Sequence, residues 1–86
     1  MGRWIERLSM NDEVLPFQTV VEVLGDRRVL IEHHRGVTEY SRQRIQARVK
    51  YGILCISGSE LELCQMTAEQ LVIVGRIDSL MLFRGD

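Results

Sequence analysis

Residues 44–51, RIQARVKY, indicate the fold class of this sequence. Apolar side chains at Ile45, Ala47, Val49 and Tyr51 alternate with polar ones, most of which are cationic. A period of two is typical of a strand with one buried face, because successive side chains of a strand point to opposite sides. On a helix the two sets would be mixed around the surface. The stretch therefore predicts a β-strand with a cationic outer face.

Similar apolar segments occur on both sides of this strand, from residue 14 onward. They are rich in Val, Ile and Leu, and the breaks between them contain Gly, Asp, Ser or Arg, as expected for strands and turns. The segments are residues 19–24, 29–33, 36–40, 53–57, 61–66, 71–74 and 77–83. About eight short strands predict an all-β fold, an antiparallel meander that closes into a small sandwich or a barrel-like roll. A stacked solenoid is a less favoured alternative.

Two glycines are predicted to separate strands, Gly58 and Gly75. A two-residue hairpin loop at residues 59–60 segregates apolar from polar side chains well on the flanking strands. This register would place Cys55 opposite Cys64, close enough to oxidise. Two packed, reduced thiols in a reducing compartment are the preferred interpretation.

The first residues differ in character from the rest of the chain. Trp4, Ile5 and Leu8 share one helical face, so residues 1–13 are predicted to form a short N-terminal helix or arm, which either caps the sheet or docks elsewhere. Residues 14–86 are predicted to form a single β domain, since 86 residues bury only one core. Neither a targeting segment nor a transmembrane segment is expected, because apolar runs are short.

Composition excludes some classes of protein. With 45% hydrophobic residues, 27% charged residues and a net charge of −1, the chain is neither disordered nor a uniformly basic nucleic-acid binder. The charge is uneven, however: residues 26–50 carry seven basic and three acidic side chains, whereas residues 51–86 carry two basic and five acidic ones. This polarity suits association with other copies or with a charged partner, and a mixed, solvated surface is the simpler explanation. Because self-association would stabilise so small a core and exposed edge strands invite it, we expect a homo-oligomer.

Catalytic signatures are missing from the sequence. It has no Gly-rich phosphate loop, no HExxH and no CxxC, so we expect no enzyme, no cofactor and no metal site. His33 and His34 would point to opposite faces of a strand, which favours hydrogen bonds at the strand end over shared metal ligation. A contact with a partner is the alternative. The candidate interaction residues are Glu32, His34, Arg35, Gly36, Tyr40, Arg44, Arg48 and Lys50.

The cationic face around Arg44 and Arg48 allows a second interpretation, a small-barrel, Sm-like nucleic-acid binder. Aromatic side chains for base stacking are sparse, at 6% of the chain, so nucleic acid is not the expected partner. A solvated face whose charges prevent aggregation is the simpler explanation.

Three blocks in order carry a family resemblance: LIEHHRGVTEY at residues 30–40, YGILCISG at residues 51–58 and IVGRIDSL at residues 73–80. With them, the sequence resembles the YabP/YqfC family of sporulation proteins, in its YqfC-like branch. The resemblance implies a non-enzymatic protein of the mother-cell cytoplasm, peripheral to the membrane around the forespore and working with a membrane protein resembling YqfD. The matching positions are Glu32, His34, Arg35, Gly36, Tyr40, Gly52, Gly58 and Gly75.

Overall fold

The computed structural model describes residues 18–85, which form one antiparallel sheet of six strands. The strands are β1 (Val20–Leu24), β2 (Arg28–Glu32), β3 (Val37–Tyr40), β4 (Arg44–Val49), β5 (Gly52–Met66) and β6 (Gln70–Arg84). Their order across the sheet is β1-β2-β6-β5-β4-β3. The prediction of an all-β fold is confirmed, and no helix occurs between residues 18 and 85. Only β3 to β6 form a meander, because the β1–β2 hairpin lies beside β6.

The centre of the sheet is a long hairpin of β5 and β6, each 15 residues long. β2 pairs with the beginning of β6, from Gln70 opposite Glu32 to Val74 opposite Arg28. β4 pairs instead with the beginning of β5, where Val49 lies opposite Gly52. Because these partners lie along opposite ends of the hairpin, the sheet has two half-sheets. The first contains β1, β2 and the turn end of the hairpin, and the second contains β3, β4 and its open end.

Between the two half-sheets the hairpin bends at Gly58 and Gly75. The register of β5 against β6 shifts between Ser57 and Gly58, which marks a bulge. A side-chain carbon on Gly58 would run into the carbonyl oxygen of Arg76 on the opposite strand. Gly75 has φ of 135°, and a Cβ there would lie 2.5 Å from the carbonyl oxygen of Glu60. The two strands therefore approach each other at the bend as only glycine permits.

The core lies between the facing half-sheets. In β4 the burial alternates as the sequence predicted, with Ile45, Ala47 and Val49 inside and Arg44 and Arg48 exposed. The core is completed from β2, β5 and β6. The buried residues of this core cluster are Val29, Ile31, Ile45, Ala47, Val49, Leu54, Ile56, Leu61, Leu71 and Ile73. Each buried Leu or Ile contributes about 1.5–3 kcal/mol relative to an exposed one, so this cluster is the main source of stability.

The prediction of eight short strands is wrong. Gly58 and Gly75 lie inside β5 and β6, where they allow a bend and close approach rather than a reversal of direction. The predicted hairpin loop at residues 59–60 is therefore absent, and Cys55 does not face Cys64. Cys55 lies opposite Met81 of β6 and is buried, whereas Cys64 is exposed.

The predicted N-terminal helix, residues 1–13, lies outside the described residues. Between residues 18 and 85 there is no helix long and apolar enough for a membrane crossing.

Candidate functional site

The connection between β2 and β3 crosses from one half-sheet to the other. It begins at His33, whose φ of 67° turns the chain out of β2. The backbone N–H of His33 donates a hydrogen bond of 2.6 Å to the carbonyl of Glu69, in the turn between β5 and β6. The connection, residues 33–36, is thus attached to the end of the central hairpin.

The side chain of His34 forms a second attachment between this connection and the β5–β6 turn. Its Nδ1 accepts a 2.9 Å hydrogen bond from the backbone N–H of Gly36. An accepting nitrogen carries no hydrogen, so the neutral ring has its hydrogen on Nε2. Nε2 lies 2.9 Å from the carbonyl oxygen of Thr67, to which it donates. The imidazole therefore links the start of β3 to the β5–β6 turn, which is the structural role that the sequence favoured for a histidine at a strand end.

Arg35 is placed next to β4 by two backbone hydrogen bonds. The N–H of Arg35 donates to the carbonyl of Arg48 at 2.7 Å, and the N–H of Arg48 donates to the carbonyl of Gly36 at 2.8 Å. Both arginine residues are exposed. The pairing brings cations together that are 13 positions apart in the sequence.

These cations border an open depression of about 380 Å³ at the end of the second half-sheet. We call it the basic depression; its lining residues are Arg35, Arg48, Val49, Lys50, Tyr51, Gly52, Ile53 and Gly85. No carboxylate is among them. The Lys50 Nζ lies 5.9 Å from the centroid of the Tyr51 ring, and the Arg84 guanidinium carbon lies 5.8 Å from it. A surface with several cations and a partly apolar floor is suited to an anionic ligand or an acidic segment.

The structure does not bring all the candidate residues together. Arg44 shares the outer face of β4 with Arg48 but does not line the basic depression. Glu32 lines a separate depression of about 320 Å³. Tyr40 lies in β3, where its hydroxyl oxygen accepts a 3.2 Å hydrogen bond from the N–H of Leu63 in β5.

Sequence reasoning missed Tyr51 and Ile53 as part of this surface. The proximity of Arg35 to these residues depends on backbone pairing of the β2–β3 connection with β4, which no local pattern in the sequence shows. In the part of the chain that the structure describes, no group of three or more His, Cys, Asp or Glu side chains is arranged to hold a metal ion.

The profile of the YabP family matches residues 17–85, which include all of the described residues. The chain belongs to the YabP family. A curated member from Bacillus subtilis (strain 168), described as "Uncharacterized protein YqfC", is 27% identical over 79 residues, which cover 91% of this chain and 85% of that protein. No solved structure matches. The resemblance to the YabP/YqfC family, and to its YqfC-like branch, is thereby confirmed.

Proposed function

We propose that this YabP family protein is a non-enzymatic interaction module that acts in endospore formation. It would work in the mother-cell cytoplasm, at the membrane around the forespore, together with a membrane protein resembling YqfD. The observation that carries the proposal is the family match over residues 17–85. The sporulation role itself comes from the family resemblance carried by the three sequence blocks.

The basic depression is the contact surface in this proposal. Arg35, Arg48 and Lys50 border it, and no acidic side chain neutralises them from within the lining. Exposed charge pairs contribute only about 0.2–1 kcal/mol each, so they would mainly guide and orient an acidic partner. The apolar part of the floor, at Tyr51 and Ile53, supplies area that a bound segment can cover. An acidic cytoplasmic segment of the membrane partner has the matching chemistry.

A genetic experiment tests the role in sporulation. Deletion of the gene in its host is expected to lower the number of heat-resistant spores, and the wild-type gene is expected to restore it. Normal spore numbers in the deletion strain would contradict the proposal.

A charge-reversal experiment tests the surface. The double variant Arg48→Glu/Lys50→Glu is expected to fail to restore sporulation, because it makes the basic depression acidic. The matched control is Arg27→Glu/Arg28→Glu, which changes the net charge equally at exposed positions around the β1–β2 turn. Restoration by the control and not by the first variant supports the surface. Failure of both variants would show that net charge matters rather than this surface, and restoration by both would contradict a role for the basic depression.

Nucleic-acid binding is the second candidate function, because the exposed Arg44 and Arg48 on the outer face of β4 suit phosphates. Binding of a short RNA, followed by fluorescence anisotropy, should then weaken steeply with salt and disappear in Arg44→Ala/Arg48→Ala. The absence of binding at low salt would exclude it.

A further inference from the structure

The two long strands differ in how their outer edges are covered. Beyond its pairing with β4, the edge of β5 is covered by the β3–β4 hairpin. The N–H of Leu61 donates to the carbonyl of Arg42 at 2.8 Å, and the N–H of Leu63 donates to the Tyr40 hydroxyl at 3.2 Å. An exposed pair, Arg42 and Glu62 at 3.8 Å, lies across the same edge. This edge therefore does not offer a free row of backbone groups.

The corresponding edge of β6 is covered only at its beginning. The N–H of Gly75 donates to the carbonyl of Arg27 at 3.2 Å, and the N–H of Ile77 donates to the carbonyl of Asp26 at 2.7 Å. Among the described residues, no strand pairs with this side of residues 78–84. Three consecutive apolar side chains are exposed there: Met81 at 51%, Leu82 at 43% and Phe83 at 53%. A long apolar edge of this kind is a template for strand addition.

The direction of the backbone groups follows from the end of the strand. The N–H of Gly85 donates to the carbonyl of Tyr51, at the side of β5, at 3.0 Å. Because backbone groups alternate in direction along a strand, Phe83 and Met81 also direct their N–H groups toward β5. Leu80, Leu82 and Arg84 therefore direct theirs to the open edge.

We propose that residues 78–84 of β6 pair antiparallel with the same residues of a second copy, around a twofold axis at Met81. In this register Leu80 lies opposite the partner's Leu82, so the outward N–H and carbonyl groups of both are joined. At each end Asp78 lies opposite the partner's Arg84. The sequence DSLMLFR is thus self-complementary in charge as well as in hydrogen bonding. The intrachain contact of Asp78 with Arg76, 3.8 Å long and exposed, does not prevent this pairing.

This self-complementarity favours a second copy over an unrelated strand. A single pair of short strands buries less than the roughly 1,600 Å² of a standard interface, so we expect a weak, concentration-dependent dimer. The inference rests on the proposed function as an interaction module and names one of its partners.

Charge reversal with complementation is the test. In the Asp78→Arg variant both ends of a homodimer bring two arginine residues together, and in the Arg84→Asp variant both ends bring two carboxylates together. Analytical ultracentrifugation of the full chain should show each variant dimerising about 10- to 100-fold more weakly than wild type. An equimolar mixture of the two should regain wild-type dimerisation, because both ends of the heterodimer then carry opposite charges. Glu39→Arg, an exposed reversal in β3, is the matched control and should dimerise as wild type.

Hydrogen exchange gives a second measurement at residue level. The amide hydrogens of Leu80 and Leu82 should exchange more slowly as the protein concentration rises, whereas the exchange of Met81 should stay unchanged until the chain unfolds. A chain that stays monomeric at every concentration would overturn the proposal, as would variants and mixtures that behave like wild type. If the protein is monomeric and still supports sporulation, the dimer proposal is wrong and the proposed function is unaffected.

Discussion

Substitution of Gly58 by alanine tests whether the central hairpin bends there or turns. Gly58 has an ordinary φ, so alanine adds no conformational strain, but its Cβ would collide with the carbonyl oxygen of Arg76. Relief of the collision requires the two strands to separate at the bend. Loss of two cross-strand hydrogen bonds, at about 1 kcal/mol each, and of some core packing gives a destabilisation of about 3 kcal/mol.

Substitution of two other glycines separates the cost of backbone conformation from the cost of the collision with the opposite strand. Gly25 has φ of 62° and open space around its Cα, so Gly25→Ala should cost only the conformational penalty, about 1 kcal/mol. Gly75 combines φ of 135° with a close approach to the carbonyl oxygen of Glu60. Gly75→Ala should therefore lower the free energy of unfolding by about 2–4 kcal/mol.

Urea unfolding followed by far-ultraviolet circular dichroism measures these differences. With a slope of about 1 kcal/mol per molar urea for a chain of this size, the midpoint should fall by about 3 M for Gly58→Ala and about 1 M for Gly25→Ala. If Gly58→Ala were as mild as Gly25→Ala, the strands could not be in close contact at that residue. The hairpin loop at residues 59–60 would then regain support.

Three further outcomes follow from single residues. Leu61→Ala should destabilise the fold by about 2–5 kcal/mol in the same unfolding assay, because Leu61 is fully buried in the core; a loss below 1 kcal/mol would contradict its placement. His34→Ala should cost about 1–3 kcal/mol, since it leaves the N–H of Gly36 without its acceptor, and His34→Phe, which keeps the ring but not the nitrogen atoms, should be no better. In the native protein Cys64 should react rapidly with a thiol reagent and Cys55 only on unfolding, as followed by mass spectrometry; equal rates would contradict the burial of Cys55.

The sequence predicted the strands wherever a local pattern is sufficient. Alternation correctly assigned the buried and exposed faces of residues 44–49, but Tyr51, predicted on the buried face, lies beyond the end of β4 and is exposed. The break between the predicted segments 19–24 and 29–33 correctly marked the turn between β1 and β2. Residues 57–60, SGSE, have the composition of a turn, yet they lie inside β5. A glycine that permits close approach and a glycine that permits a reversal look alike in a sequence, because the difference lies in the opposite strand.

The candidate site was predictable to a similar extent. Arg48 and Lys50 were identified from the alternating pattern of residues 44–51. Their association with Arg35 was not, because it depends on backbone pairing between the β2–β3 connection and β4. The open edge of β6 could not be recognised from the sequence, because it follows from the strand order. On that side β2 pairs only with the first five residues of β6.

The continuity of β5 and β6 through both half-sheets has a consequence for folding. Neither half-sheet has a complete set of strands without the other, so partial unfolding should leave no stable fragment, and the chain should melt as one cooperative unit. Pairing of β2 with the start of β6 must also wait for residues some forty positions downstream. Such distant partners are costly to bring together, and refolding should therefore take milliseconds to seconds rather than microseconds.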